Sequence, residues 1–503
     1  MVENAASVGQ KAGRREWIGL AVIALPCLLY SMDLTVLILA VPHLVADLNP
    51  SATQLLWIVD IYGFLLAGAL ITMGTLGDRV GRRRLLLIGA AAFGAVSILA
   101  AFSVSAEMLI ASRALLGLSA ATLAPSTLSL IRNMFLDAKQ RSFAIGLWVA
   151  SFSAGGAVGP LLGGLMLEHF WWGSVFLLNA PVMLLILVLG PILLPEFRDP
   201  HAGRLDLLSA GLSLVAVLAV IFGIKRIAEL GLGWPQLAAI AGGLAVGAVF
   251  VWRQLRLEDP LFGVSLFRQR AFSGALAINI LAIFVAFGSF LFVAQYLQLV
   301  LGLGPLEAGL WTAPSGLVFG AGSILAPQLL KWIARVHVIV GSLTVSAIGF
   351  VLLTQVSAAD QHALFMTGFL LFCLGMAPVG TLTTDLVMGS APPERAGAAS
   401  GISETSFEFG GAIGIAVLGS ILNAVYRAGM SNDGPGGEVA RESLADAVGL
   451  AGEVGGEAGA AILVAAREAF TQSLNVTATI CAVIALVAAL LASFLLRRAR
   501  AAA

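Results

Sequence analysis

Stretches of about 20 mostly apolar residues, the length of helix that crosses the hydrocarbon of a bilayer, recur fourteen times along this chain of 503 residues, from 17–42 to 473–496. Short segments rich in Gly, Pro, Arg and Asp separate them. Hydrocarbon offers backbone groups no water to bond, so a chain patterned this way is expected to fold as an all-α integral membrane protein. Composition excludes the alternative of a water-soluble enzyme: 59% of residues are hydrophobic and 11% charged, less than half the charged share of a soluble domain. Lys plus Arg and Asp plus Glu are both 28, so no bulk field invites nucleic acid or an acidic partner, and the lipid bilayer is the partner that composition names. Cys27, Cys373 and Cys481 each sit alone in an apolar run, which gives neither a disulfide framework nor metal-ligand spacing.

An even number of spans places both termini on one side. Putting them in the cytoplasm leaves 22 of the 28 basic residues inside, with Lys225, Arg226, Arg427, Arg441 and Arg467 outside and Arg113 within a span. Positive charge in short loops resists translocation, so both termini are expected to be cytoplasmic. The first span is too long, and too lacking in a small-residue cleavage site, for a signal peptide, and is expected to remain. Residues 427–472 form one unusually long outer connection, Gly-rich and then acidic, which reads as an external helical hairpin or flap.

After the second span the chain reads Gly74-Thr75-Leu76-Gly77-Asp78-Arg79-Val80-Gly81-Arg82-Arg83-Arg84. Glycines let helix ends approach closely, and an aspartate among arginines can form charge-assisted bonds across them. This segment resembles the cytoplasmic signature of the major facilitator superfamily. Arg113, with Gly117 four residues on, resembles the fourth-span pattern of a buried Arg facing the transport path. Gly155, Gly159, Pro160 and Gly163 of the fifth span resemble the superfamily's antiporter motif, whose small residues permit close helix contact and whose proline favours a bend. Met32-Asp33-Leu34-Thr35 through Pro42 resembles the first-span signature of the fourteen-helix drug:proton antiporters, although Ile38 stands where that pattern has Asn. With Trp57 through Tyr62, Glu404 and Glu408, the whole chain resembles the QacA- and SmvA-type multidrug exporters and, equally, the actinobacterial antibiotic self-resistance exporters.

The resemblance implies a major facilitator fold of two six-helix bundles with two inserted helices. The expected division is 1–200, 201–258 and 259–503, the last including the external segment. It also implies a multi-pass protein of the bacterial cytoplasmic membrane, acting as a monomer. In the second half, the place of the Asp78 motif is taken by Pro327 through Arg335, which keeps only scattered basic residues. That degeneracy predicts an asymmetric inner gate, tighter on the Asp78 side, with Asp78, Arg82 and Asp385 as gate residues.

Carboxylates far from a membrane edge are costly, about 2.5–3.5 kcal/mol each on the insertion scale, and so usually face water, a partner or a proton. Glu404 and Glu408, spaced i,i+4, share one helical face where double ionisation is disfavoured, so a proton is expected to stay resident near neutral pH. Asp33 has no basic residue within helical reach and stands as the leading candidate for exchanging a proton against a cation. Asp60 and Arg113 enter the membrane from the same side to similar depth, so they are expected to pair, either to order the first bundle or to couple protons. Aromatic residues such as Phe152, Phe287 and Phe407 would suit flat lipophilic cations wherever they face a pocket. No GxxxxGK[ST] phosphate loop is present. The expected activity is therefore export of amphipathic, often cationic drugs or antibiotics against protons, with no cofactor or metal and the proton gradient as energy source. A proton-coupled importer of a small nutrient with the same fold is the alternative.

Overall fold

The computed structural model describes residues 11–199, 206–231, 233–257, 260–261, 264–357, 362–430 and 437–499. Among them, fourteen helices are long and apolar enough to cross a bilayer. The first six spans are α1 (Arg14–Leu48), α2 (Ala52–Val80), α3 (Arg82–Ala101), α4 (Ala106–Met134), α5 (Ala138–His169), and the short α6 (Ser174–Leu177) continued by α7 (Asn179–Leu193). The two inserted spans are α8 (Leu207–Leu230) and α9 (Trp234–Gln254). The last six begin with α10 (Arg270–Gln295), α11 (Pro305–Leu329), α12 (Arg335–Leu353) and α13 (His362–Ser390). They end with α14 (Ala396–Gly429), the short helices α15 (Gly437–Glu442) and α16 (Leu444–Val454), and α17 (Gly456–Ala499).

Helix pairing repeats between the halves. In the first, α1 packs on α5, α2 on α4, and α3 on both α4 and α7; in the second, α10 packs on α14, α11 on α13, and α12 on both α13 and α17. The halves then meet through α2 against α14 and α5 against α11. Two six-helix bundles related in this way, with α8 and α9 inserted between them in sequence, are the major facilitator architecture. Glycines make the closest pairings possible: a Cβ on Gly155 would strike the Leu28 backbone of α1, and one on Gly414 the Phe284 backbone of α10.

The face that carries the Asp78 loop, called the motif face below, is where the bundles fuse. The core of the first bundle there takes in Val387 and Met388 of α13 and Ala398, Ala399 and Ile402 of α14. Helices α5 and α11 touch most tightly near this face, where a Cβ on Gly146 would lie 2.5 Å from the Ser323 carbonyl oxygen; at Gly320 and Gly316 the same pair is in ordinary contact, with nearest neighbours at 3.9 and 3.7 Å. Helix α8 lies along α2 and also touches α14. Ile221 packs with Phe64 and Ala67 of α2, and Val220 and Ile224 pack with Ala416 of α14.

The long connection 427–472 is helical over its described part, as its composition suggests, but it is not a hairpin separate from the last span. Residues 456–472 continue upward from that span as one helix with it, so α17 has 44 residues. At about 1.5 Å per residue this is roughly twice the thickness of the hydrocarbon core. Tyr426 ties α15 down by donating to the Ala440 carbonyl at 2.8 Å, and α16 packs on α17. Residues 434–436 of the Gly-rich stretch lie outside the described residues.

Candidate functional site

A cavity of about 450 Å³ opens among α1, α2, α3, α4, α5 and α14. Tyr30, Tyr62, Phe93 and Phe152 supply aromatic walls, and Glu404 and Glu408 supply its acids. The i,i+4 spacing does place both glutamates on one face of α14, and that face is the one turned toward the first bundle. Tyr30 donates its hydroxyl to Glu408 Oε1 at 2.6 Å. Glu404 makes no hydrogen bond or ion pair with any described residue, and Glu408 makes no ion pair. Tyr30 was not picked out by the sequence reasoning because no motif contains it. A usable signal existed: the chain has only four tyrosines, and Tyr30 lies one turn before Asp33.

Asp33 is not the isolated carboxylate that helical reach within its own span suggested. Arg113 Nη1 of α4 donates to Asp33 Oδ2 at 2.5 Å, and both side chains are almost fully buried. Asp33 also lies outside the glutamate cavity, lining a smaller recess of about 230 Å³ with Asn179 and Phe176. The three leading acids therefore occupy two places. Tyr62 touches both places, with its ring 4.5 Å from the Arg113 guanidinium and its side chain lining the glutamate cavity.

The expected Asp60–Arg113 pair does not form. Depth was read correctly and rotation was not: α2 does reach Arg113, through the Ile58 carbonyl at 3.2 Å and the Tyr62 ring. Asp60 lies two residues from each of these, about 200° around the helix, and so faces away. It faces α8 instead, where Lys225 Nζ donates to Asp60 Oδ1 at 2.5 Å and sits 4.7 Å from the Phe64 ring centroid. These side chains are partly exposed, 34% for Lys225 and 21% for Asp60.

At the motif face, Asp78 caps a helix of the other bundle. Helix α14 starts without a side-chain cap of its own. Its first-turn N–H groups, from Gly397 and Ala398, donate to Asp78 Oδ1 and Oδ2, each at 2.9 Å. Orphan donors and the positive end of the helix dipole favour a carboxylate there. Arg82 binds Asp78 Oδ1 through Nε and Nη2, at 2.9 and 2.6 Å, and extends Nη2 to the Pro393 carbonyl at 2.7 Å. Gly74 and Gly397 face one another so closely that a Cβ on either would fall on the other's carbonyl oxygen.

The second half of the motif face is built differently from the Asp78 side. Asp385 is fully buried between Arg141 Nε of α5 at 3.1 Å and Arg335 Nη2 of α12 at 2.7 Å. Arg132 Nε adds a cross-bundle bond to the Met388 carbonyl at 2.9 Å. The gate is asymmetric in construction: a helix cap on one side, a carboxylate shared by two guanidiniums on the other. Arg335 belongs to the degenerate loop itself, so its scattered basic residues were the available clue.

The glycines of the fifth span turn toward α1. Beyond Gly155, Gly159 faces Met32 and Thr35, and Gly163 faces Val36. Helix α5 runs on through Pro160. This seam fixes the helix that carries both Tyr30 and Asp33. Among the described residues no group of three or more His, Cys, Asp or Glu is placed to hold a metal.

The sequence matches the family model described as Major Facilitator Superfamily over residues 23–415. It is 44% identical to the multidrug efflux pump LfrA of Mycolicibacterium smegmatis, covering 87% of this chain and 86% of that one. It is 35% identical to the methyl viologen resistance protein SmvA of Salmonella typhimurium, covering 89% and 92%, and 32% identical to the tetracenomycin C resistance and export protein of Streptomyces glaucescens, covering 81% and 76%. In fold it is similar to the human organic anion transporter MFSD10, with a TM-score of 0.61 at 17% identity over 95% of this chain and 99% of that one.

Proposed function

Since this chain belongs to the Major Facilitator Superfamily, a family of membrane transporters, we propose that it exports amphipathic, cationic drugs or antibiotics across the bacterial cytoplasmic membrane in exchange for protons. The observation that carries the reading is the pair Glu404 and Glu408, lodged in an aromatic cavity with no ion-pair partner among the described residues. Anions left without a fixed cation in low dielectric are stable only with a proton or a mobile cation, and competition between those two is what antiport requires. Relatives named for efflux of many drugs, resistance to methyl viologen, a dication, and export of tetracenomycin C support the same class of cargo.

We assign the motif face, with both termini, to the cytoplasm, following the distribution of basic residues. The conformation is then the one closed to the cytoplasm by the Asp78 and Asp385 locks. In the alternate state those locks separate, and cargo enters from the cytoplasm or inner leaflet and displaces the proton held by the glutamates. Closure at the motif face carries it to the outer side, where protons from the more acidic exterior release it. Asp33, paired with Arg113 beneath Tyr62, is assigned to holding the first bundle in order around the cavity. Protons, cargo and lipid are the partners, and a monomer contains every group named.

Ethidium flux into proteoliposomes tests the proposal. An inside-acid gradient should drive uptake that an uncoupler abolishes, and the double substitution Glu404→Gln/Glu408→Gln should reduce it to the level of empty liposomes. Full gradient-driven uptake by the double variant would overturn the assignment.

A further inference from the structure

We propose that Tyr30 is a positioning residue that divides labour between the two glutamates, holding Glu408 as the anion that receives cargo and leaving Glu404 as the proton carrier. The inference rests on the antiport reading above and assigns a separate role to each acid of that site.

The two carboxyls sit one helical turn apart on α14, yet their surroundings differ. Tyr30 donates to Glu408 Oε1 at 2.6 Å, the length expected when a hydroxyl meets an ionised oxygen. Glu404 receives nothing from any described residue, although it lines the same cavity. A donor aimed at a carboxylate favours its charged form. Two carboxylates one turn apart resist ionising together. The proton that the pair must hold therefore goes to the member without the donor, Glu404.

The donor is held in place by its neighbours. The Tyr30 ring meets Phe152 of α5 edge-on with centroids 5.7 Å apart, and lies 6.2 Å from the Tyr62 ring of α2. Other groups preserve the asymmetry. Cys27, one turn before Tyr30, and Tyr62 face the cavity beside the glutamates, and the Tyr62 hydroxyl has no hydrogen-bond partner among the described residues. Lys225 of α8 is already held by Asp60. The Tyr30–Glu408 bond also joins α1 to α14, one bundle to the other, at the level of the cavity. Cargo arriving at Glu408 thus meets a group that both halves of the transporter share.

Equilibrium binding of ethidium to the purified full-length protein, followed against pH, separates the roles, with proton-driven flux as a parallel readout. Wild type should lose affinity as pH falls through one midpoint. Tyr30→Phe keeps the ring and removes the donor, and should move that midpoint to higher pH by roughly one unit, a tenfold change in proton competition. Glu404→Gln should flatten the pH dependence while keeping affinity at high pH, and Glu408→Gln should weaken binding about tenfold or more at every pH. An unchanged midpoint in Tyr30→Phe, or Glu404→Gln and Glu408→Gln behaving alike, would overturn the division of labour. Loss of gradient-driven flux in the wild type, with these binding differences intact, would sink the antiport reading alone and leave the division standing.

Discussion

The acids of the first bundle and those of α14 present opposite solutions to one problem. Asp33, Asp60 and Asp78 each hold a cation supplied elsewhere in the chain, Arg113, Lys225 and Arg82 respectively. Glu404 and Glu408 pair with no cation among the described residues, and they line a cavity. A buried charge with a fixed partner resists change, because removing one member leaves the other stranded. A buried acid without one must be satisfied by something that comes and goes. The difference separates groups that keep the bundle in order from groups available for exchange.

The sharpest way to break that comparison is to dissociate stability from transport. Arg113→Met strands Asp33 in a site where both side chains are nearly inaccessible, and should cost about 3–5 kcal/mol of stability. Glu404→Gln strands nothing and should change stability by less than about 1 kcal/mol while abolishing proton-driven flux. Unfolding of the two purified variants, measured with ethidium flux in liposomes, checks both halves. Equal destabilisation by the two substitutions would mean that Glu404 has a fixed partner after all.

The two locks of the motif face offer a second, smaller contrast. Asp385→Asn leaves Arg141 and Arg335 without their shared anion, while Asp78→Asn leaves only Arg82 and two helix N–H groups. A charge-assisted bond contributes about 1.5–3 kcal/mol, so each substitution should raise the open population roughly tenfold or more, with Asp385→Asn the larger. Spin labels on the exposed residues Leu136 and Trp332, one after α4 and one after α11, would report the separation of the bundles as a longer distance. A larger response to Asp78→Asn would restore the gate hierarchy that the degenerate second loop suggested.

Much of this was legible in the sequence, for identifiable reasons. Hydrophobic length fixes spans because the bilayer imposes it, so the fourteen helices follow directly. The Asp78 lock was readable because its glycines, aspartate and Arg82 lie within a few residues of one another. The glutamate pair was readable because i,i+4 spacing is local. Partner choice across helices was not. Depth can be counted from a span's end, but Asp60 and Tyr62 differ only by rotation, and it is rotation that gives Arg113 to Asp33 and Lys225 to Asp60. Tyr30 was hidden for the same reason, since its bond to Glu408 spans 378 residues of sequence. The first part of α17 was hidden by polarity: residues 456–472 are good helix formers, but nothing in their composition says that the last span continues through them.

The smallest expected effect concerns the inserted helix. Lys225 and Asp60 pair at the same distance as Arg113 and Asp33, 2.5 Å, yet their partial exposure places them in a different energetic class. Water and rotamer freedom reduce such a pair to about 0–1 kcal/mol, and α8 is also held to α2 by apolar packing around Phe64 and Ile221. Lys225→Met should therefore leave folding intact and lower ethidium flux by no more than about fivefold, the equivalent of that energy. Abolished flux in a well-folded Lys225→Met protein would place α8 within the transport machinery. The division between partnered acids that order the structure and unpartnered acids that exchange would then fail at Asp60.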